Sequence, residues 1–196
     1  MAHPDICVKG LVEYYFDIET TGKNPAQDKI IAIQWQKLRQ STWEPVGELN
    51  ILKEWESSEK EVLEDFLPIA HCEYPWDFIF IGINLMFDFN FLNERAKRFG
   101  LRGLNLSYLY DHPFLDLKHI LVLINDGRFK DYSKFLKGSY EEVDVPKLYR
   151  ERKHKDIIKY IEKEAEVFGE TLKILRREMP LLKEPLKGPR TSYSEK

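Results

Sequence analysis

Three apolar segments near the start of the chain have the length and pattern of β-strands. They are Val12–Asp17, Lys29–Leu38 and Val46–Leu52, and the second alternates apolar and polar residues in its later half. The links between them are short and contain the turn residues Asn24-Pro25 and Trp43-Glu44-Pro45. Because short links of this kind favour antiparallel pairing of consecutive strands, we expect a three-stranded antiparallel meander.

The rest of the pattern alternates helices with two further strands. Ser57–Ala70 is typical of a helix, because Ser57 or Ser58 can cap it and acidic residues fall in its first turn. Asp77–Ile83 is nearly all apolar, as expected of a central strand covered on both faces. Further predicted elements are a helix over Phe87–Phe99 that stops at Gly100, a short strand over His112–Leu117 that leads into a helix around Ile120–Ile124, a short helix over Asp131–Leu136, and a long helical segment from Pro146 to Met179 with a break near His154. This order indicates an α/β fold with a mixed sheet.

Length and composition fit one globular domain. The chain has 196 residues, of which 43% are hydrophobic and 32% charged, so we expect a sizeable core rather than a disordered chain. We place the domain at residues 1–183 and expect residues 184–196, with two prolines and a glycine, to form a loosely ordered tail.

The formal net charge of −3 gives no global signature of nucleic-acid binding, so such binding would need metal ions or a local basic surface. The start has no signal-peptide pattern and no apolar run could span a membrane, so we expect a cytoplasmic location.

The most informative segment is Asp17-Ile18-Glu19-Thr20-Thr21-Gly22, which begins where the first predicted strand ends. Side chains two apart in a strand point to the same side, so Asp17 and Glu19 project together. Two adjacent carboxylates repel each other unless a cation joins them, and Mg²⁺ and Mn²⁺ prefer oxygen ligands. A solvated strand end is the alternative interpretation, but the small-residue turn behind the pair favours a metal site.

Two further acidic positions could join this pair. Asp88 follows the central strand at the start of the next helix, where ligands commonly bind in open α/β sheets, although an acid there also complements the helix dipole. Tyr160 and Glu164 are four residues apart and therefore on one helix face, where a phenol can hydrogen-bond a water while the acid holds a metal. Taken singly, Asp88 and the pair of Tyr160 and Glu164 are each more typical of an ordinary helix, and their occurrence together with Asp17 and Glu19 is what favours a shared site.

In this order and spacing, the three sites resemble the DEDD superfamily of 3′–5′ exonucleases, which have a ribonuclease-H-like fold. The segment DIETTG is similar to the first motif of that family. The run from Asn84 through Phe87-Asp88 to Phe91-Leu92 is similar to its second motif, N-x-x-F-D-x-x-F-L. Tyr160 matches the tyrosine of the third motif, Y-x-x-x-D, which defines the tyrosine branch (DEDDy). The motifs look closest to the proofreading exonuclease domains of family B DNA polymerases.

The resemblance implies a fold, a cofactor and an activity. The fold is a mixed five-stranded sheet, an antiparallel meander plus parallel strands, flanked by helices. The cofactor is two Mg²⁺ or Mn²⁺ ions, held by the four acids Asp17, Glu19, Asp88 and Glu164. The activity is hydrolysis of single-stranded DNA from its 3′ end to mononucleotides, with the four acids catalytic and Tyr160 orienting the attacking water. The substrate contacts that it implies are Thr20, Thr21, Asn84 and Phe91.

One position departs from the family pattern, because Glu164 stands where an aspartate is expected. Glutamate is longer by one methylene, but both acids bind hard cations. His154 lies ten residues before Glu164 rather than five, which argues against the histidine branch.

Two alternative functions stay open. One is a 3′–5′ exoribonuclease, since the metals act on phosphate oxygens and leave the 2′ position unread. The other is a catalytically weak nucleic-acid-binding module of the same fold, which Glu164 alone favours.

Overall fold

A mixed five-stranded sheet lies at the centre of the chain. The computed structural model describes residues 12–40, 42–70, 78–105, 114–124 and 143–178. The strands are β1 Glu13–Thr20, β2 Ile30–Leu38, β3 Pro45–Lys53, β4 Ile79–Gly82 and β5 Leu115–Asp116. The helices are α1 Glu59–Ala70, α2 Leu85–Arg98, α3 Leu117–Ile124, α4 Val145–Arg150 and α5 His154–Glu178, and a 3₁₀ turn covers Glu54–Glu56. The strand order across the sheet is β3-β2-β1-β4-β5.

The strand directions confirm the predicted fold class. β1, β2 and β3 pair antiparallel, as expected of the meander. β4 pairs parallel with β1, and β5 pairs parallel with β4. Helices connect and flank these strands, so the chain has the α/β architecture that its hydrophobic pattern indicated.

The predicted helical segment from Pro146 to Met179 is two helices rather than one. The chain turns between α4 and α5, and Arg152 in this turn has a φ of 56°, which interrupts the helical backbone. The break predicted near His154 is therefore confirmed. The helix predicted over Asp131–Leu136 and the tail at residues 184–196 lie outside the described residues, so the domain bounds stay predictions.

None of the helices in the described ranges combines the length and the apolar character needed to cross a membrane.

Alternation along β1 divides its side chains between the two faces of the sheet. Phe16 is wholly buried on the face covered by α1 and α2. Tyr15 points to the other face and packs against Phe168 of α5, with ring centroids 4.6 Å apart. Asp17 and Glu19 share the parity of Tyr15, so β1 directs both carboxylates towards the side of the sheet that α5 covers.

Polar and apolar contacts hold α4 and α5 against this side of the sheet. Lys29 Nζ donates to Glu54 Oε1 at 2.6 Å and to the Tyr149 hydroxyl at 2.8 Å, and that hydroxyl donates to the second oxygen of Glu54. In α5, the wholly buried Ile157 and Ile161 pack against β2. The loop after β1, the 3₁₀ turn and the start of α5 are therefore fixed relative to one another.

A buried ion pair joins α1 to α2. Arg95 donates from Nε to Glu59 Oε1 at 2.7 Å and from Nη2 to Glu59 Oε2 at 2.6 Å, and the two side chains are only 6% and 7% exposed. Glu59 Oε1 also accepts the backbone N–H of Ile30 at 2.8 Å. Because both charges are hydrogen-bonded and buried, this pair fixes α2 relative to the start of β2.

Glu59→Gln should lower the free energy of unfolding by about 3–5 kcal/mol, because it leaves a buried guanidinium without its counter-charge. Glu64→Gln in the same helix is the matched control, since the exposed pair of Glu64 with Lys60 contributes about 1 kcal/mol or less. Urea unfolding followed by circular dichroism measures both variants. Equal unfolding midpoints for the two would contradict the role given to this ion pair.

Candidate active site

Three carboxylates from two elements meet at the carboxyl end of β1. Asp17 and Glu19 come from β1 and Glu164 comes from α5, and one oxygen of each lies within 4.8 Å of the others. Glu19 is 9% exposed, and the other two are half-buried. Glu164 is followed in α5 by the buried Ala165, which belongs to the apolar cluster between α5 and the sheet. The structure thus brings together three of the four acids predicted from the sequence.

The fourth predicted acid, Asp88, lies in the first turn of α2 and is 2% exposed. It is not part of the 4.8 Å group, but its charge contributes to raising the pKa of both Asp17 and Glu19. Its Oδ2 atom has no hydrogen-bond partner among the described residues. A buried carboxylate oxygen in this state is unfavourable unless a proton or a cation satisfies it.

Asp116, at the end of β5, holds the start of α2 in place. Its carboxylate accepts the backbone N–H groups of Asn84 at 2.8 Å, Leu85 at 3.0 Å and Lys118 at 2.9 Å. Asn84 has a φ of 61°, which turns the chain sharply from β4 into α2. These hydrogen bonds fix the first turn of α2, which contains Asp88, relative to β5. Asp116 is not among the predicted site residues, and the signal that could have identified it is an acid at a strand end beside a helix start.

Gln34 of β2 also reaches the acidic group. It pairs with Asp17 in the register of β1 and β2, and its Nε2 donates to Asp17 Oδ2 at 3.0 Å. A hydrogen bond from Gln34 also lowers the pKa of Glu19, partly offsetting the effects that raise it. Gln34 is not among the predicted site residues, because only the strand register, and no feature of the β2 sequence, places it opposite Asp17.

The Thr-Thr-Gly turn after the β1 acids is stabilised by its own side chains. Thr20 Oγ1 donates to the carbonyl of Gly22 at 2.6 Å, and Thr21 Oγ1 accepts the backbone N–H of Lys29 at 3.0 Å. A Cβ at position 22 would lie 2.4 Å from Asp28 Oδ2, so the turn requires glycine there. Turn geometry accounts for this sequence, and the contact of either threonine with a substrate stays a prediction.

The other predicted site residues lie in different environments. Tyr160 is half-buried, one helical turn before the acid of α5, and contacts the apolar cluster between α5 and β2. Asn84 Oδ1 accepts a hydrogen bond from Lys118 Nζ at 2.6 Å. Phe91 is wholly buried and packs against Phe87, with ring centroids 4.9 Å apart. The predicted contact of Phe91 with a substrate would therefore require this ring to leave the core.

Burial and mutual repulsion raise the pKa of three of the acids well above its ordinary value. Loss of solvation is the largest cause at Asp17 and Glu19, and the negative charges of Glu164 and Asp88 add to it. At Asp88 loss of solvation again raises the pKa most, followed by the charges of Asp116 and Glu164. Without a cation, these acids hold protons at a higher pH than ordinary carboxylates do.

The donor set fits a hard divalent cation. The candidate ligand atoms are all carboxylate oxygens, which Mg²⁺ and Mn²⁺ prefer. A cation beside the three gathered acids would relieve their repulsion and could satisfy the unpartnered oxygen of Asp88. The chemistry of the site therefore matches the metal that the sequence resemblance implied, while the identity of the ion stays a prediction.

Comparison with solved structures shows the same fold in exonuclease I. A crystal structure of exonuclease I in complex with the inhibitor BCBP matches with a TM-score of 0.63 and 13% identity, over 89% of this chain and 43% of that chain. A product-bound structure of exonuclease I matches with a TM-score of 0.60 and 13% identity, over 89% of this chain and 45% of that chain. E. coli exonuclease I in complex with a dT13 oligonucleotide gives a TM-score of 0.58 and 14% identity, over 88% of this chain and 42% of that chain. No family model matches this chain, and no curated protein is significantly similar to it in sequence.

These similarities establish the fold. They confirm the ribonuclease-H-like architecture that the DEDD resemblance implied. This chain spans less than half the length of the exonuclease I chains that it matches. At this level of identity the fold alone is shown, so the tyrosine branch, the likeness to polymerase proofreading domains and the roles of individual residues stay predictions.

The metal-free protein should lose stability as the pH rises from about 4 towards neutrality. The folded-state pKa values of the acids are raised, so in this range the folded protein binds more protons than the unfolded chain, and ionisation lowers the free energy of unfolding. Asp88→Asn removes one of the charges and should raise stability by about 1–2 kcal/mol at neutral pH in EDTA. Thermal unfolding at a series of pH values measures this difference.

Asp65→Asn is the matched control for that experiment, because Asp65 is an exposed acid on α1. Its unfolding temperature should follow that of the wild type at every pH. If Asp88→Asn were no more stable than the wild type at neutral pH in EDTA, the electrostatic description of the site would be wrong.

Proposed function

We propose that this chain is a metal-dependent 3′–5′ exonuclease that hydrolyses single-stranded DNA. The observation that carries the proposal is the approach of Asp17, Glu19 and Glu164 within 4.8 Å, beside the buried Asp88, in a fold shared with exonuclease I. The acids lie at the carboxyl end of a central strand, where ligands bind in open α/β sheets. Gathering buried carboxylates is unfavourable for a protein that binds no cation there, so a metal-dependent reaction is the simplest reason for the arrangement.

The residues that would hold two Mg²⁺ or Mn²⁺ ions are Asp17, Glu19, Asp88 and Glu164. Such ions, when bound, stabilise the charge that develops on a reacting phosphate and increase the acidity of a water. The chain contributes the positions of the oxygens: β1 presents two carboxylates, α5 a third and α2 a fourth. Asp17, which lies near Glu19 on β1 and accepts a hydrogen bond from Gln34, would be one of the residues that hold these ions.

The proposed reaction is hydrolysis of the terminal phosphodiester bond. The oxygen of a water attacks the phosphorus and the water loses a proton, while the bond from phosphorus to the 3′ oxygen of the preceding nucleotide breaks and that oxygen takes up a proton. The products are a mononucleotide that carries the phosphate and a strand shortened by one nucleotide, with a free 3′ hydroxyl. Tyr160 would orient this water with its hydroxyl group, since it shares a face of α5 with Glu164. Repetition of this step shortens the strand from its 3′ end.

We propose a single strand as the substrate, because the last bases of a duplex would have to separate from the partner strand before the terminal phosphate could reach the acids. The likeness to exonuclease I structures that contain single-stranded DNA supports this choice. Thr20, Thr21 and Asn84 would contact the terminal nucleotide. The exposed basic residues before Tyr160 that could meet backbone phosphates are Lys147, Arg150, Arg152, Lys153 and Lys155.

Two alternatives differ in substrate or in turnover. Metal ions held by the four acids would act on phosphate oxygens and would not distinguish a deoxyribose from a ribose, so a 3′–5′ exoribonuclease would use the same site. A nucleic-acid-binding module without turnover is favoured by one feature, the glutamate at position 164 in place of an aspartate. Degradation of matched DNA and RNA oligonucleotides, with and without Mn²⁺, separates the three functions.

Asp17→Ala should reduce Mn²⁺-dependent release of mononucleotides from a 3′-labelled single-stranded DNA by about 10³-fold or more, because it removes a carboxylate from the centre of the site. Asp65→Ala is the matched control, an exposed aspartate on α1 whose loss should leave the rate unchanged. Release of nucleotides from the labelled strand, followed over time, measures both. If the purified wild-type protein released none, the binding-module function would replace the exonuclease.

Glu164→Asp should retain or increase the rate of nucleotide release, because aspartate is also a ligand for hard cations and is the acid that the DEDD motif has at this position. Glu166→Asp is the control, since Glu166 is exposed on the same helix and pairs with Lys163 at 2.7 Å. The measurement is the rate at saturating Mn²⁺. Complete loss of activity in Glu164→Asp alone would show that the site is built for the longer side chain.

A further inference from the structure

Gln34 is a buried polar residue in an otherwise apolar stretch of β2. Its side chain is wholly inaccessible to solvent, as are its neighbours Ala32 and Ile33. Its Nε2 donates to Asp17 Oδ2 at 3.0 Å, and its Oε1 has no hydrogen-bond partner among the described residues. Burying an amide whose oxygen is unsatisfied is unfavourable by about 1–3 kcal/mol in mutational data. An apolar side chain of the same length would avoid this cost. Stability therefore does not explain why an amide stands at this position.

The strand register explains why the amide reaches the acids. Asp17 lies directly opposite Gln34, and Glu19 lies opposite Ala32. Alanine has no polar side-chain group, so the side-chain hydrogen bond from β2 to these acids is the one of 3.0 Å from Gln34 Nε2 to Asp17 Oδ2. Gln34 is therefore a neutral donor that β2 places beside Asp17.

We propose that Gln34 is a positioning residue of the metal centre, which holds one oxygen of Asp17 so that the other oxygen and Glu19 face the cations. The inference rests on the proposed function, because it assumes that these acids bind divalent ions. A neutral amide suits this task better than a lysine, since it orients a carboxylate without supplying a charge that competes with the ion. Hydrogen bonds to metal-binding carboxylates of this kind contribute about 10–100-fold to metal affinity.

Gln34→Met tests the proposal, because methionine keeps the length and burial of the side chain and removes the donor. Its Mn²⁺ affinity, measured by electron paramagnetic resonance of free Mn²⁺ and without any substrate, should fall by about 10-fold or more. The matched control is Gln36→Met. Gln36 lies on the same strand and its Nε2 donates to the carbonyl of Gly47 at 2.9 Å, away from the acids, so this variant should bind Mn²⁺ as the wild type does.

A second measurement separates positioning from a folding defect. For nucleotide release, Gln34→Met should raise the KM for Mn²⁺ by at least 10-fold while kcat at saturating Mn²⁺ stays within a few-fold of the wild type. If this variant does not fold, Gln34→Asn, which keeps the amide but withdraws it by one methylene, is measured in the same way. Wild-type affinity for Mn²⁺ in the folded Gln34 variants would overturn the proposal for Gln34 alone. Absence of Mn²⁺ binding by the wild-type protein would overturn this proposal and the proposed function together.

Discussion

Repulsion among buried carboxylates is the constraint on which this structure depends. Asp17, Glu19 and Glu164 approach within 4.8 Å, and Asp88, at 2% exposure, adds a fourth charge beside them. Loss of solvation and the neighbouring charges together raise the pKa values of Asp17, Glu19 and Asp88, so without metal these three acids favour taking up protons. A divalent cation satisfies the same oxygens without protonation. The energetic problem that the fold creates is therefore also the means by which it would bind metal.

The rest of the fold holds the acids in this unfavourable arrangement. β1 presents Asp17 and Glu19 on one face because side chains alternate along a strand. The contacts of Lys29 with Glu54 and Tyr149 hold α4 against the 3₁₀ turn and the start of β2. The buried pair of Glu59 and Arg95 fixes α2 in its place. Interactions remote from the acids thus supply the stability that the site itself lacks.

The sequence allowed prediction of the parts that depend on local geometry. The sequence shows the strand alternation that places Asp17 and Glu19 on one face. It also shows the four-residue spacing that puts Tyr160 and Glu164 on one helix face. The meander and the break before α5 were predictable from turn residues and hydrophobic pattern. The contacts of Gln34 and Asp116 were not, because they depend on strand register and on chain segments far apart, although the position of Asp116 at a strand end is visible in the sequence. Asp116, for example, accepts a hydrogen bond from a residue 32 positions earlier.

The fold of this chain matches less than half of exonuclease I, so the acids of the candidate site, and not the fold alone, support the proposed activity. The central assumption of this proposal is that the four acids bind divalent cations together. Crystals soaked in Mn²⁺ and measured at the manganese absorption edge test this most directly. We predict anomalous peaks at coordination distance, about 2–2.6 Å, from carboxylate oxygens of Asp17, Glu19, Asp88 and Glu164. Density without a peak at these acids, at Mn²⁺ concentrations that support nucleotide release, would contradict it.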